Sequence, residues 1–274
     1  MSPDAPRAGP APDAGIVLAG GRSSRMASPK AALSWHGSTL LRRVAGIVAR
    51  SVDGPVVVVA SPGQVLPALP AGVDVVCDTV SGKGPLGGIA AGLAAVQGRC
   101  WAAYVCSTDV PFLHPAFVAR VFKGCSDGIE VCAPCVGGYN QPLAAVYRGS
   151  VLPQVEALLA ADRRRVSLLF DACTTRLVNE AWLLADPLVA ELDPDLLSTH
   201  NLNHPEDYVG ALTCPEPPVV VENRGRRSMV RASTLGGAAL AVGVPLVGAV
   251  TLNDAQVPPE PETPLVAGDA VVLS

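Results

Sequence analysis

Short apolar runs of strand length alternate with longer segments of mixed character through the first two hundred residues. Residues 16–19 and 56–60 are continuous apolar runs that read as buried strands, and 73–77 and 101–106 read as two further strands. Between the first two, Leu40, Leu41, Val44, Ile47 and Val48 recur at helical spacing and predict a helix over 39–50, with Ser38 as its cap. The loop Gly82-Lys83-Gly84-Pro85-Leu86-Gly87-Gly88 leads into a small-residue helix running to Ala95. Helices are expected again over 115–122, 151–160 and 166–172, and strands over 129–133 and 143–147. Strand, loop and helix in regular alternation predict an α/β fold, a doubly wound Rossmann-like mostly parallel sheet with right-handed crossovers.

Composition then shifts. Pro205 stands near the start of a last helix, where its fixed φ is favourable. Pro215-Glu216-Pro217-Pro218 reads as a stiff linker, and beyond it the pattern is strand, short helix, strand, and a final strand after the Gly268-Asp269 turn. The expected division is a disordered tail at 1–13, a first domain at 14–212, a linker at 213–218 and a small C-terminal α+β domain at 219–274. The Pro/Ala-rich tail lacks the apolar segment of a signal peptide, so the expected location is the cytoplasm. Residues 235–252 are almost uncharged, but four glycines and Pro245 divide them into a short helix and a strand rather than a membrane span.

The net charge of −4 with dispersed arginines excludes the basic footprint of a nucleic-acid binder. Most of the eight cysteines lie in apolar runs and read as small hydrophobes in a reducing compartment. Cys132-Ala133-Pro134-Cys135 has a metal-like or redox-like spacing, but no second pair follows it. His36, His114, His200 and His204 show no ligand spacing and read as surface or turn residues.

The chemistry begins where the first strand runs into Gly20-Gly21, followed by Arg22, Arg25 and Lys30. Paired glycines bring bare N–H groups close to an anion, and three cations add charge, so the stretch reads as a phosphate site. Its spacing is neither that of the P-loop nor that of the dinucleotide fingerprint. Asp109, in Ser107-Thr108-Asp109-Val110-Pro111 beyond the fourth strand, lies where ligands bind in open parallel sheets. Its carboxylate suits a magnesium ion, although aspartate also starts turns.

The run from Leu18 to Lys30 resembles the nucleotidyltransferase signature Leu-Ala-Gly-Gly-x-Ser-x-Arg-Met-Gly followed by lysine, with Ala27 in place of the last glycine. Four further segments narrow the resemblance to the molybdenum cofactor guanylyltransferases, over residues 14 to about 212. They are Asp78 with Gly84-Pro85-Leu86-Gly87-Gly88, then Thr108 to Leu113, Gln141-Pro142-Leu143, and Asn201 to Asp207. The resemblance implies magnesium-assisted transfer of GMP from GTP to the terminal phosphate of the molybdopterin cofactor, with release of pyrophosphate. It implies catalytic roles for Arg25, Lys30 and Asp109, the last also holding the metal. Nucleotide contacts would come from Leu18, Ala19, Gly20, Gly21, Lys30, Asp78 and Asp109, and the acceptor would be bound by Gln141, Asn201 and Asn203. Asp78 also suits a cap or a solvated loop, the lesser alternative.

The family tends to carry an asparagine after the second strand, where this chain has Ala60-Ser61. A cytidylyltransferase for the same cofactor, a sugar-phosphate nucleotidyltransferase and a non-catalytic nucleotide-binding chaperone therefore stay open as alternatives. Residues 219–274 resemble the ubiquitin-like sulfur-carrier (β-grasp) fold through Val250 to Asn253 and Pro264 to Val271. They end in Val-Val-Leu-Ser rather than Gly-Gly, so the expected role is docking of a cofactor-synthesis or acceptor protein.

Overall fold

The computed structural model describes residues 12–20, 30–78, 84–126 and 128–273. Gly21 and Arg25, expected at the phosphate site, lie outside the described residues. The strands of the first part are β1 (Ala14–Leu18), β2 (Ser34–Trp35), β3 (Ser38–Thr39), β4 (Val56–Ala60), β5 (Val73–Cys77), β6 (Ala102–Ser107), β7 (Val131–Val136), β8 (Tyr139–Asn140), β9 (Ala144–Arg148) and β10 (Thr175–Asn179). Its helices are α1 (Leu40–Ala49), α2 (Gly84–Val96), α3 (Pro115–Gly124), α4 (Leu152–Ala160), α5 (Ser167–Ala172), α6 (Glu180–Leu184), α7 (Pro187–Leu192) and α8 (Pro205–Leu212).

The large sheet has the order β10-β7-β9-β6-β1-β4-β5, with β8 paired to β7. Four neighbours at one side, β6, β1, β4 and β5, run parallel, as do β7 and β10. Strand β9 is antiparallel to both β6 and β7. The chain between β7 and β9 turns back through the β8 hairpin and is too short for the crossover a parallel strand needs. The sheet is thus mostly parallel, as expected, with one reversed strand in its interior.

Alternate residues of the central strands feed two cores, one on each face. Val17, Val58 and Tyr104 pack with Leu41, Val44 and Ile47 of α1 and Phe117 and Val121 of α3. Ile16, Val57 and Val105 pack with Ile89 and Leu93 of α2 and Val155 of α4. Gly92 shows why α2 is rich in small residues: a Cβ there would stand 2.5 Å from Ile16 Cγ2, so the helix lies close on β1. Pro12 and Asp13, in the expected tail, are tied to this unit, since the Pro12 carbonyl accepts from Trp101 N–H and the Asp13 carbonyl from Gly54 N–H.

A second sheet, of β11 (Pro218–Asn223), β12 (Arg226–Arg231), β13 (Val250–Leu252), β14 (Ala255–Val257) and β15 (Ala270–Leu273), has the order β12-β11-β15-β13-β14. Helix α9 (Leu235–Ala241) covers one face, and the two share a separate small core around Val221, Leu235, Ala238 and Val271. Among the described residues no helix is long and apolar enough to cross a membrane.

Helix α1 is buried on two sides. Its cap is Thr39, whose hydroxyl accepts from Arg42 N–H at 3.3 Å; the expected cap Ser38 is instead paired with Trp35 in the β2–β3 hairpin. The face away from the large sheet carries Arg42, Arg43, Gly46 and Arg50, and the second sheet's loop 258–269 packs on it. Pro264 lies so close to Gly46 that a Cβ there would be 2.8 Å from its ring. Arg43 is 4% exposed and donates to the carbonyls of Pro111 (2.6 Å), Ser233 (2.9 Å) and Leu265 (3.3 Å). Burial, helped by the nearby Arg50 cation, pushes its pKa down to about 9, so it remains charged at neutral pH. Arg42 pairs with Glu260 and Glu262, and Arg50 binds both oxygens of Asp269.

His114, expected at the surface or in a turn, is instead buried at the start of α3. It is 7% exposed; Nδ1 accepts from Ala116 N–H to cap α3, and Nε2 lies 3.0 Å from the Ala267 carbonyl, which makes it the Nε2–H tautomer. Burial holds its pKa below the usual histidine value. These contacts join the two sheets into one packed body. Arg43→Met, which roughly keeps volume but leaves the Pro111 and Leu265 carbonyls without the Arg43 donor and the Ser233 carbonyl with only Leu265 N–H, is expected to lower unfolding free energy by about 2–4 kcal/mol. Chemical denaturation of wild type and variant checks this.

Candidate functional site

The carboxyl ends of β1 and β6 open into a cleft of about 370 Å³. In the sheet register Leu18 lies opposite Ser107, so the two chains leave their strands at the same level. Leu18, Ala19 and Gly20 form one wall, Ser107, Thr108 and Asp109 the floor, and Gln141 with Pro142 the rim. Lys30, Asn201 and Asn203 enter from the remaining side. Eight of the expected site residues are thereby brought together. Asp78 is placed differently, at the end of β5, where its N–H donates to the Ala60 carbonyl. It does not line this cleft.

Asp109 is the centre of the arrangement. Lys30 Nζ lies 2.7 Å from its Oδ2, and Ser107 Oγ donates a short hydrogen bond to its Oδ1. Lys30 starts a single 3₁₀ turn that ends at Ala32, just before the β2–β3 hairpin, and its side chain reaches the carboxylate beyond the end of β6. The Asp109 carbonyl accepts from Leu202 N–H at 2.9 Å. Leu202 is buried beside Trp35 and Leu40, so its neighbours Asn201 and Asn203 are held at the cleft by a backbone bond and an apolar anchor. Asn201 Nδ2 donates to the Thr199 carbonyl, and the N–H groups of Asn203 and His204 are capped by Asp207 at the start of α8. Gln141 is fixed by its N–H, which donates to the Pro134 carbonyl.

Among the described residues no three His, Cys, Asp or Glu side chains cluster as a metal cage. Among the described residues that line the cleft, Asp109 is the one that offers a carboxylate, with the Ser107 hydroxyl beside it. That donor set fits a hard divalent cation that takes its other ligands from water and substrate phosphates. Ser107 and Thr199 were not among the expected site residues. The run Ser107-Thr108-Asp109 carried the signal for Ser107, because a hydroxyl two residues before a strand-end carboxylate can reach it; Thr199 had none.

Residues 15–175, more than half of the chain, match the MobA-like NTP transferase domain. The chain belongs to this family. It is accordingly a nucleotidyltransferase. It is 40% identical over 165 residues to a probable molybdenum cofactor guanylyltransferase of Mycobacterium tuberculosis, covering 59% of this chain and 80% of that relative. A protein of the same name from Pelotomaculum thermopropionicum is 34% identical over 203 residues, 74% of this chain and 93% of the relative. The fold is shared with the molybdopterin-guanine dinucleotide biosynthesis protein A of Archaeoglobus fulgidus (TM-score 0.58, 21% identity, 72% of this chain and 96% of that one). It is shared also with the 2-C-methyl-D-erythritol 4-phosphate cytidylyltransferase of Thermus thermophilus (TM-score 0.51, 19% identity, 72% and 96%). The matched domain ends at the first residue of β10, so the second sheet lies beyond it.

In this transferase the segment before Asn201 is held by a buried carboxylate. Asp193, 5% exposed, accepts from Leu197 N–H (2.7 Å) and Ser198 N–H (3.2 Å), and Ser198 Oγ accepts from His114 N–H. Burial outweighs these donors and pushes the Asp193 pKa from 3.8 up to about 6. Between those two values the folded protein holds a proton on this group that the unfolded chain has released, so its contribution to stability falls as pH rises through the window. The difference in unfolding free energy between wild type and Asp193→Asn should therefore shift against wild type from pH 4 to pH 6 and level off above. Denaturant titrations across that range check it; a constant difference would mean that Asp193 does not titrate there.

Proposed function

We propose that this chain transfers GMP from GTP to the terminal phosphate of the molybdopterin cofactor and releases pyrophosphate. The observation that carries the reading is the Lys30–Asp109 pair at the joint ends of β1 and β6. An anion-binding lysine and a metal-binding carboxylate meet there in a family whose relatives at 34–40% identity are named molybdenum cofactor guanylyltransferases. A terminal phosphate oxygen of the acceptor attacks the α-phosphorus of GTP; that P–O bond forms as the bond to the β-phosphate oxygen breaks. The nucleophile is already an anion, so no general base is needed. Lys30, on leaving Asp109, neutralises the triphosphate and the departing pyrophosphate, and Arg25 adds a second cation. Asp109 and Ser107 would hold Mg²⁺, which when bound offsets repulsion between the two phosphates and the charge developing at the reacting phosphorus.

Backbone groups of Leu18, Ala19, Gly20 and Gly21 would contact the nucleotide, and Gln141, Asn201 and Asn203 the acceptor. Asp78 would accept from the guanine edge or the ribose, beyond the end of β4. Residues 14–212 would form the transferase unit, 213–218 the linker and 219–274 a docking module for a protein that delivers or receives the cofactor. A cytoplasmic enzyme fits these substrates.

The test is pyrophosphate release by the full-length protein with Mg²⁺, molybdopterin cofactor and each nucleoside triphosphate in turn. GTP should be preferred; equal or greater turnover with CTP would overturn the base assignment, and no turnover with any would overturn the reaction. Asp109→Ala should lose activity by at least about a hundredfold while remaining folded. Lys30→Ala should reduce kcat far more than it weakens GTP binding, as expected for a contact that strengthens in the transition state. Asp78→Ala should narrow the preference for GTP over ATP and CTP by about ten- to a hundredfold, and an unchanged preference would make Asp78 structural.

A further inference from the structure

The β1 end of the cleft is tied to the β4 end by one side chain that the mechanism above does not use. After β4 the chain makes the turn Ser61-Pro62-Gly63-Gln64, in which Gln64 N–H donates to the Ser61 carbonyl at 3.0 Å. Gly63 has φ +71°, the value a proline-glycine turn of this kind requires at its third position. The turn folds the half-buried Gln64 side chain back toward β1. Its Nε2 donates to the Ala19 carbonyl at 2.9 Å, and its Oε1 accepts from Ser61 N–H at 2.9 Å.

The consequence falls on one peptide unit. Ala19 N–H and Gly20 N–H both donate to the Val59 carbonyl, at 2.8 and 3.1 Å. The peptide between Ala19 and Gly20 is therefore held at both ends, its N–H by Val59 and its carbonyl by Gln64. With both ends held, the plane cannot rotate, and the direction in which the chain leaves β1 for the glycine pair is set. Gly20 is pressed against the same turn, since a Cβ there would lie 2.8 Å from Ser61 Oγ. Without the Gln64 amide, the Ala19 carbonyl would lose its donor and would be left to turn into the cleft, where it would face the phosphates.

We propose that Gln64 is a positioning residue for the nucleotide, acting through the Ala19–Gly20 peptide. It touches neither reacting phosphate, and it governs how well Ala19 and Gly20 are preorganised to receive the nucleoside triphosphate. The residue type matters because a donor and an acceptor are needed at once, and the glutamine amide supplies both at any ordinary pH. A glutamate would still accept from Ser61 N–H, but its second oxygen would oppose the Ala19 carbonyl unless protonated. The proposal rests on the reading of the cleft as a nucleotide site.

The experiment uses the full-length protein and three measurements: calorimetric Kd for GTP with Mg²⁺, steady-state kcat and KM, and hydrogen exchange of the Ala19 and Gly20 amides without ligand. Gln64→Ala should raise both Kd and KM for GTP about five- to tenfold, as expected for one lost positioning bond. It should leave kcat within about twofold and the acceptor KM unchanged, the split expected when only ground-state binding is affected. Exchange at residues 19 and 20 should quicken about tenfold or more, the amount that loss of one such bond allows. Gln64→Glu should bind GTP more weakly than Gln64→Ala at pH 8 and recover as pH falls toward 5, where the carboxyl regains a proton to donate. Unchanged GTP affinity and unchanged exchange in folded Gln64→Ala would overturn the proposal, as would an equal rise in both KM values with a lowered Tm. If wild type bound no nucleoside triphosphate, the nucleotide reading would fail, and exchange at residues 19 and 20 would still decide whether Gln64 holds the peptide.

Discussion

The register of β1 against β6 is the constraint on which the site depends. Leu18 stands opposite Ser107 because Ile16 and Val17 must go to opposite cores, and Val105 and Cys106 are bound by the same alternation. A slip of one residue would exchange the two faces of a strand that is buried on both, so apolar packing specifies the register strongly. Once it is set, the chain two residues past β6 must lie beside the chain just past β1. Asp109 and Gly20 line the same cleft for that reason, and Lys30 meets the carboxylate there. The polar site is positioned by forces that act on Val, Ile and Cys.

Helix α1 carries the same logic to the other side of the molecule. Its Leu and Val stripe predicted one buried face, and that face is where it was expected. The opposite stripe holds Arg42, Arg43 and Arg50, which at helical spacing look like a solvated surface. They are covered because the second sheet supplies partners for each guanidinium: carboxylates for Arg42, carbonyls for Arg43, and the Asp269 carboxylate for one nitrogen, Nη1, of Arg50. Burying a cation is costly unless every donor is met, so these contacts fix the placement of the small sheet more closely than apolar area alone would. Val266 goes further and joins the α1 side of the large core. The small sheet is thus packed as part of the body, though its own core around Leu235 and Val271 is separate.

Much of this was legible in the chain. Apolar runs located β1, β4, β5 and β6 within two residues, whereas β10, parallel to β7 and carrying Thr175, Arg176 and Asn179 among its five residues, has no such run and was not expected. The run Ala144–Arg148 was legible as a strand, but its direction was not, because direction depends on the length of the return from β7 rather than on side chains. Lys30, Asp109, Gln141, Asn201 and Asn203 were legible as a set through resemblance, and the structure gathers them at one cleft. What links them was hidden. The bond from Leu202 N–H to the Asp109 carbonyl joins residues 93 apart in the chain through backbone atoms that every sequence has, and no residue type announces it. His114 was misread for a related reason: a histidine that caps a helix and reaches a distant carbonyl looks, in sequence, like any histidine in a turn.

The central ion pair also has a direction built into it. Asp109 is held at three points, by Ser107 Oγ on Oδ1, by Lys30 on Oδ2 and by Leu202 N–H on its own carbonyl. Lys30 reaches it across a flexible four-carbon stem. Under the nucleotidyl-transfer reading, a triphosphate with its cation brings a partner for each charge, so the pair can separate without leaving either charge bare. Breaking the Oδ2 contact leaves the Ser107 and Leu202 bonds in place, and the carboxylate stays where it was while the ammonium turns to the phosphates. The ligand-free pair then serves as more than charge neutralisation: it keeps both groups at the carboxyl end of the sheet, oriented toward the place where two anions must be brought together.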